Sequence, residues 1–125
     1  MKRASSTSTT EAGSAAERAA ASFLRERGYH VLERNFRCRG GEIDIVALDG
    51  STLVFVEVKL RRTLARGAPI EAVTALKQTR VRRAAQTYLA FSGRVFERIR
   101  FDVISVLRTS ARTEITHLKA AFATG

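Results

Sequence analysis

The sequence predicts a single α/β domain, a mixed sheet flanked by helices in the order αβββαββ. Three observations predict it. Two stretches, near 15–27 and 70–91, repeat apolar residues at helical spacing. Two β-rich runs, 42–48 and 52–60, flank Asp49-Gly50, a strong hairpin signal. And 125 residues at 45% hydrophobic content suffice for one core, with no internal repeat or linker to divide them.

In chain order, residues 1–12 are Ser/Thr-rich without apolar periodicity and read as a disordered tail, with the domain spanning 13–122. Ser14-Ala15-Ala16-Glu17 has the form of a capping box, Ser14 as N-cap and Glu17 as its N3 partner. Ala16, Ala20, Phe23 and Leu24 then recur at helical spacing to Gly28, a C-terminal cap. Tyr29 to Phe36 reads as a first strand, and the two strands of the hairpin follow the Gly40-Gly41 break. Arg61 to Ala68 is a basic loop closed by Pro69. Ile70, Val73, Leu76, Val81, Ala84, Ala85, Tyr88 and Leu89 mark the second helix, ended by Gly93. Two more strands are expected near 98–107 and 113–119.

Charge points to a partner. There are 22 Lys+Arg against 12 Asp+Glu, a net charge of +10, which favours polyanions: nucleic acid first, anionic membrane second. The blander account is that the arginines only solvate helices. The single Cys38 cannot form an intramolecular disulfide. Met1-Lys2-Arg3 begins like a signal peptide, but Ser5 to Thr10 is polar where an apolar segment should follow, and no run approaches the ~20 apolar residues of a membrane span. The expectation is a cytoplasmic protein that stays off the membrane.

The acidic hairpin carries the chemistry. Side chains alternate along a strand, so Glu57 and Lys59 share a face. A two-residue Asp49-Gly50 turn makes paired positions sum to 99, with Asp44 facing Phe55 on that same face. A four-residue loop makes them sum to 101 and sets Asp44 opposite Glu57. A regular three-residue loop puts Asp44 on the other face unless a bulge restores parity. The turn signal therefore predicts that Asp44, Glu57 and Lys59 converge. Glu-x-Lys in a strand is usually a solvated ion pair. Here its neighbours Leu53, Val54, Phe55, Val56, Val58 and Leu60 are apolar on both faces, as in a buried central strand, where a charge is costly unless paired or metal-bound. Lys59 could supply the offsetting charge, and so could Mg²⁺ or Mn²⁺ on Asp44, Glu57 and the backbone carbonyl of Val58. Lys59 would then orient an attacking water and stabilise the charge developing on a phosphate.

Gly41-Glu42-Ile43-Asp44-Ile45-Val46, then Phe55-Val56-Glu57-Val58-Lys59 and Arg61, resemble the YraN-type family of endonuclease-like proteins. Arg34-Asn35-Phe36-Arg37-Cys38, Lys77-Gln78, Ala84-Ala85-x-x-Tyr88-Leu89 and Arg100-Phe101-Asp102-Val103 fit the same pattern, so the likeness covers about residues 14–122. It implies the restriction-endonuclease-like core of the PD-(D/E)xK superfamily, similar to Holliday-junction resolvases, with Asp44, Glu57 and Lys59 at the catalytic positions. It also places Glu17 where related nucleases carry a helix carboxylate, and Gln78 where many carry a polar residue on the second helix. Arg66 before Gly67 departs from the pattern, which leads one to expect an aromatic residue there.

Arg61, Arg62, Arg66, Lys77, Arg80, Arg82 and Arg83 are the candidate phosphate-tracking residues, although exposed helical arginines are commonly just solubilising. Glu17 has a purely structural role available as a capping residue, and Gln78 as an exposed glutamine. His30, His117 and Cys38 lack zinc-ligand spacing. Asp49 reads as a turn residue and Asp102 as the partner of a neighbouring arginine. The sequence thus points to a Mg²⁺- or Mn²⁺-dependent nuclease acting on DNA, branched DNA included, built on one core that a second copy of the chain could complete as a homodimer. The rivals are a catalytically silent nucleic-acid-binding module with the same fold and an accessory protein of a membrane assembly. No basic amphipathic anchor favours the last.

Overall fold

The computed structural model describes residues 8–61 and 73–124. Its elements are α1 (Ser8–Glu26), β1 (His30–Cys38), β2 (Gly41–Asp49), β3 (Thr52–Arg61), α2 (Ala75–Ser92), β4 (Arg98–Arg108) and β5 (Thr113–Phe122), in the expected αβββαββ order of an endonuclease-like core. One sheet runs β1-β2-β3-β4-β5. β1, β2 and β3 form an antiparallel meander, β3 and β4 are parallel, and β5 returns antiparallel. A parallel step needs a crossover, and α2 lies within it. Among the described residues no helix is long and apolar enough to cross a membrane.

Each helix covers one face. Ala16, Ala20, Ala21 and Leu24 of α1 pack on Ile45, Ala47, Val54, Val56, Ile104 and Val106. Val81, Ala84 and Ala85 of α2 pack on Ile43, Val46, Leu53, Phe55 and Phe101. β3, held between β2 and β4, is fully buried from Leu53 to Val56, which explains its unbroken apolar run.

Helix starts differ from expectation, while helix ends agree. α1 begins at Ser8, so residues 8–12, expected in the tail, are helical; residues 1–7 lie outside the described residues. Ser14 sits inside the helix, where its hydroxyl accepts from Arg18 Nη1 at 3.3 Å, so no capping box forms. Residues 8–13 contain no proline to stop the helix, and Ser-x-x-Glu fits a helix interior equally well. At the other end Gly28 has φ +88° and Tyr29 N–H donates to Leu24 O at 3.0 Å, which closes the helix as expected. α2 begins at Ala75 rather than near 70. Thr74 is its N-cap, accepting from Lys77 N–H at 3.1 Å, and Gly93 ends it at φ +66°. Ile70 lies outside the described residues.

The β2–β3 turn also moves by one residue. Asp49 pairs with Thr52, so the turn is Gly50-Ser51 and paired positions sum to 101 rather than 99. Gly50 supplies the left-handed conformation at φ +62°. Asp49 remains in the ladder because its carboxylate accepts from Arg100 Nη1 at 3.1 Å, while Ser51 Oγ donates to Glu97 at 2.8 Å.

Candidate active site

Besides the bulges at Val31/Glu33 and Phe101/Val103, strand alternation fails at the level of Asp44, and the acidic residues gather there. In β2, Ile43 packs on the α2 side but Ile45 on the α1 side, so the strand changes face across Asp44. β1 does the same: Arg34 reaches Glu17 of α1, Phe36 packs on the α2 side, and Asn35 between them takes φ +58°. Arg34 pairs with Ile45 and Phe36 with Ile43, so Asn35 and Asp44 lie at the same level. Asn tolerates the left-handed region better than most residues, which makes the switch possible without glycine. Asp44 thereby sits at a pivot open to both helices.

Three carboxyl groups meet at this pivot. The β2–β3 ladder is paired as far as Ile45–Val56, and continuing its register sets Asp44 opposite Glu57. Asp44 Oδ2 accepts from the N–H of Val58 at 2.8 Å. Glu57 is 5% exposed and its Oε2 pairs with Lys77 Nζ at 3.3 Å. Its Oε1 is buried with no hydrogen-bond partner. Glu17 interacts with Asp44 and with the side chain of Asn35, and lies 3.7 Å from Arg34 Nη2. Burial, reinforced by the Asp44 charge, pushes Glu57 up to about 8 and Glu17 up to about 7. Burial raises Asp44 as well, against the opposing Val58 N–H and Lys77 charge.

This donor set fits a divalent cation. A buried carboxylate oxygen without a partner is costly, on the order of 1–3 kcal/mol, and two crowded carboxylates call for positive charge between them. Among the described residues no three His, Cys, Asp or Glu side chains form a ready metal cage. Mg²⁺ does not require one, since it takes one or two carboxylates and keeps several waters.

The other expected site residues divide. Lys59 lies on the Glu57 face by alternation and is half-buried, with no ion pair among the described residues. Gln78 does not meet the acids: its amide donates to Val73 O at 3.1 Å and its carbonyl accepts from Arg82 at 3.3 Å, which braces the start of α2. Lys77, expected on a phosphate track, is instead the cation of the site. Arg82 donates to Ala123 O at 3.0 Å and stacks over Phe122, so it is committed to the β5 side. Arg80 and Arg83 are exposed. Arg61 ends β3, and Arg62 and Arg66 lie outside the described residues.

The sequence model described as "Uncharacterised protein family UPF0102" matches residues 16–106, a span that includes every acid and lysine of the site. The chain belongs to this family. UPF0102 is the family that its motifs resemble. The UPF0102 protein of Chlorobium chlorochromatii is 51% identical over 122 residues, covering 92% of this chain and 93% of its own. That of Nocardia farcinica is 50% identical over 111 residues (88% and 87%), and that of Geobacter metallireducens 49% over 110 (88% and 90%). The likeness therefore takes in fold and site together rather than one motif.

Three residues of this site escape a reading of the hairpin alone. Nothing in local chemistry marks Arg34 and Asn35 as neighbours of Glu17. The available signal was Asn35, a residue suited to positive φ in the middle of a strand. Lys77 had a signal as well, because it stands four residues before Val81 on the apolar stripe of α2.

Proposed function

We propose that this chain is a divalent-metal-dependent nuclease that hydrolyses phosphodiester bonds in DNA. The observation that carries the reading is the convergence of Asp44 and Glu57, one oxygen of Glu57 left buried without a partner, in a chain of net charge +10. Asp44, Glu57 and the Val58 carbonyl would hold Mg²⁺ or Mn²⁺. Bound there, the ion supplies Lewis acidity and a water of lowered pKa. The Val58 N–H fixes the orientation of Asp44. The apolar neighbours of β3 exclude bulk water and strengthen every charge interaction at the site. Lys59, on the Glu57 face, offers an ammonium to an attacking water or to the phosphate. Glu17 adds negative charge from the α1 side.

A cleavage screen over single-stranded, duplex, flapped and four-way DNA with Mg²⁺ and Mn²⁺, run beside Glu57→Gln, tests this. Wild type should cut at least one substrate at a rate that the variant loses by 10²-fold or more, about 2.7 kcal/mol of transition-state stabilisation. Equal residual activity in both proteins rejects it. The second reading, a silent nucleic-acid-binding module, draws on one observation: Lys77 already neutralises Glu57 internally.

A further inference from the structure

The tip of the β1–β2 hairpin lies directly on α2. Gly41 is buried there, and a Cβ at this position would stand 2.1 Å from the carbonyl oxygen of Arg80. A Cβ on Gly40 would stand 3.3 Å from Arg83 Cβ. Only glycine allows the Gly41 backbone to come so close. The contact brings the tip, with Arg39 next to Gly40 in sequence, against the turn of α2 that carries Arg80 and Arg83. All three are exposed, and among the described residues none has a carboxylate within ion-pair distance. Arg82 faces the other way, held by Ala123, Gln78 and Phe122.

We infer that this joint surface, Arg39 with Arg80 and Arg83, is where the sugar–phosphate backbone of a nucleic acid docks on its way to the acidic pivot. The inference rests on the nuclease reading of that pivot and adds where the substrate lies. Like charges held together without acids destabilise the free protein slightly, and a polyanion relieves this while releasing its own counterions. The surface adjoins the site along two routes. Arg80 and Arg83 follow Lys77 by three and six residues on α2, a rise of about 4.5 and 9 Å. Gly41 precedes Asp44 by three residues of strand, about 10 Å. Roughly three nucleotides of one strand cover that distance. Guanidinium contacts to phosphate position a strand without reading its bases, so the surface is expected to be indifferent to sequence.

The test is fluorescence anisotropy of a labelled 20-bp duplex with full-length protein in EDTA, from 50 to 250 mM KCl. Removing Arg39, Arg80 and Arg83 together as alanines should lower the slope of log K against log salt by roughly 2–3, near 0.9 for each lost phosphate contact. Arg82→Ala, which removes the same charge per residue, should leave the slope unchanged. Circular dichroism should show both variants folded, since the three arginines are exposed. A triple variant that keeps the wild-type slope overturns the inference, as does Arg82→Ala losing as much per residue. Failure of wild type to bind at any salt, or displacement of the duplex by polyglutamate at matched charge, also overturns it. Cleavage by wild type with Mg²⁺, measured alongside, separates the two ideas. Normal slopes without cleavage leave this surface standing and remove the enzyme, whereas cleavage with an unchanged triple-variant slope removes only the surface.

Discussion

Two buried carboxylates on one sheet are treated in opposite ways. Asp102 on β4 is 0% exposed and every part of it is bonded. Arg100 donates to both of its oxygens at 2.9 Å, His117 Nε2 lies 2.7 Å from Oδ2, and Ala120 N–H donates to Oδ1 at 3.0 Å. Arg100 is itself tied to Asp49 and to the Tyr29 hydroxyl. Burial alone would raise the Asp102 carboxyl, but the bonds from His117, Arg100 and Ala120 outweigh it and hold it below the ordinary range. Glu57 on the adjacent β3 has one ammonium, the crowding carboxyl of Asp44 and an oxygen with no partner, and burial with the Asp44 charge pushes its carboxyl up to about 8. A carboxylate surrounded by donors is part of the scaffold. One whose surroundings are short of positive charge is poised for something the protein itself does not supply.

The largest expected effect sharpens the scaffold half of this contrast. Asp102→Ala should destabilise the protein by about 3–5 kcal/mol in urea denaturation at pH 7, because Arg100, His117 and the Ala120 N–H lose their common partner. A loss below about 1 kcal/mol would erase the distinction.

Next in size is the pH dependence without metal, to which the two groups contribute with opposite sign. The Glu57 carboxyl binds its proton more tightly folded than unfolded, so its contribution is fully present below about pH 4.5 and is lost as pH rises through about 8. Asp102 binds its proton less tightly folded, so its contribution is present above about 3.8 and lost on further acidification. Stability should therefore peak in mildly acidic solution and decline by roughly 2 kcal/mol towards pH 9. Glu57→Gln should shrink the alkaline decline to the share carried by Glu17 and Asp44, and leave the acid limb intact. Chemical denaturation from pH 3 to 9 measures both.

A smaller effect concerns Glu17. Glu17→Gln should weaken Mn²⁺ binding in titration calorimetry by about tenfold, or 1.4 kcal/mol, while slightly raising metal-free stability above pH 7. Unchanged Mn²⁺ affinity would remove Glu17 from the site. The smallest effects separate the true helix cap from the apparent one. Thr74→Ala should cost about 1 kcal/mol and loosen the turn that presents Lys77. Ser14→Ala, inside α1, should change stability by less than about 0.5 kcal/mol in thermal denaturation.

The sequence was legible where local chemistry and tertiary outcome coincide. The unbroken apolar run of β3 demanded a central strand, and charges at Glu57 within such a run demanded an explanation. Gly28 and Gly93 closed their helices where expected because positive φ is a local requirement. Other features were hidden because distant partners decide them. The turn shifted to Gly50-Ser51 since Arg100, 51 residues away from Asp49, keeps that residue in the ladder. Ser14-x-x-Glu17 imitates a cap, but the helix already runs through residues 8–13 before it. The face change at Asn35 and Asp44 violates the very alternation from which strand faces are read, so parity could bring Asp44 near Glu57 in either register but could not bring Glu17 to it.

The parallel pairing of β3 with β4 has a consequence for how the molecule assembles. Thr52 meets Arg98, 46 residues later, whereas Asp49 meets Thr52 across a two-residue turn. Short loops close before long ones, so the meander that carries Asp44 and Glu57 can form while α2 and β4 are still unplaced. During that interval the acid pair exists without Lys77. In the solvated hairpin both carboxylates are ionised and only water and dissolved cations screen their repulsion, so refolding from urea should be faster at high than at low ionic strength. The same meander thus meets, at its birth, the electrostatic problem that the finished site is built to use.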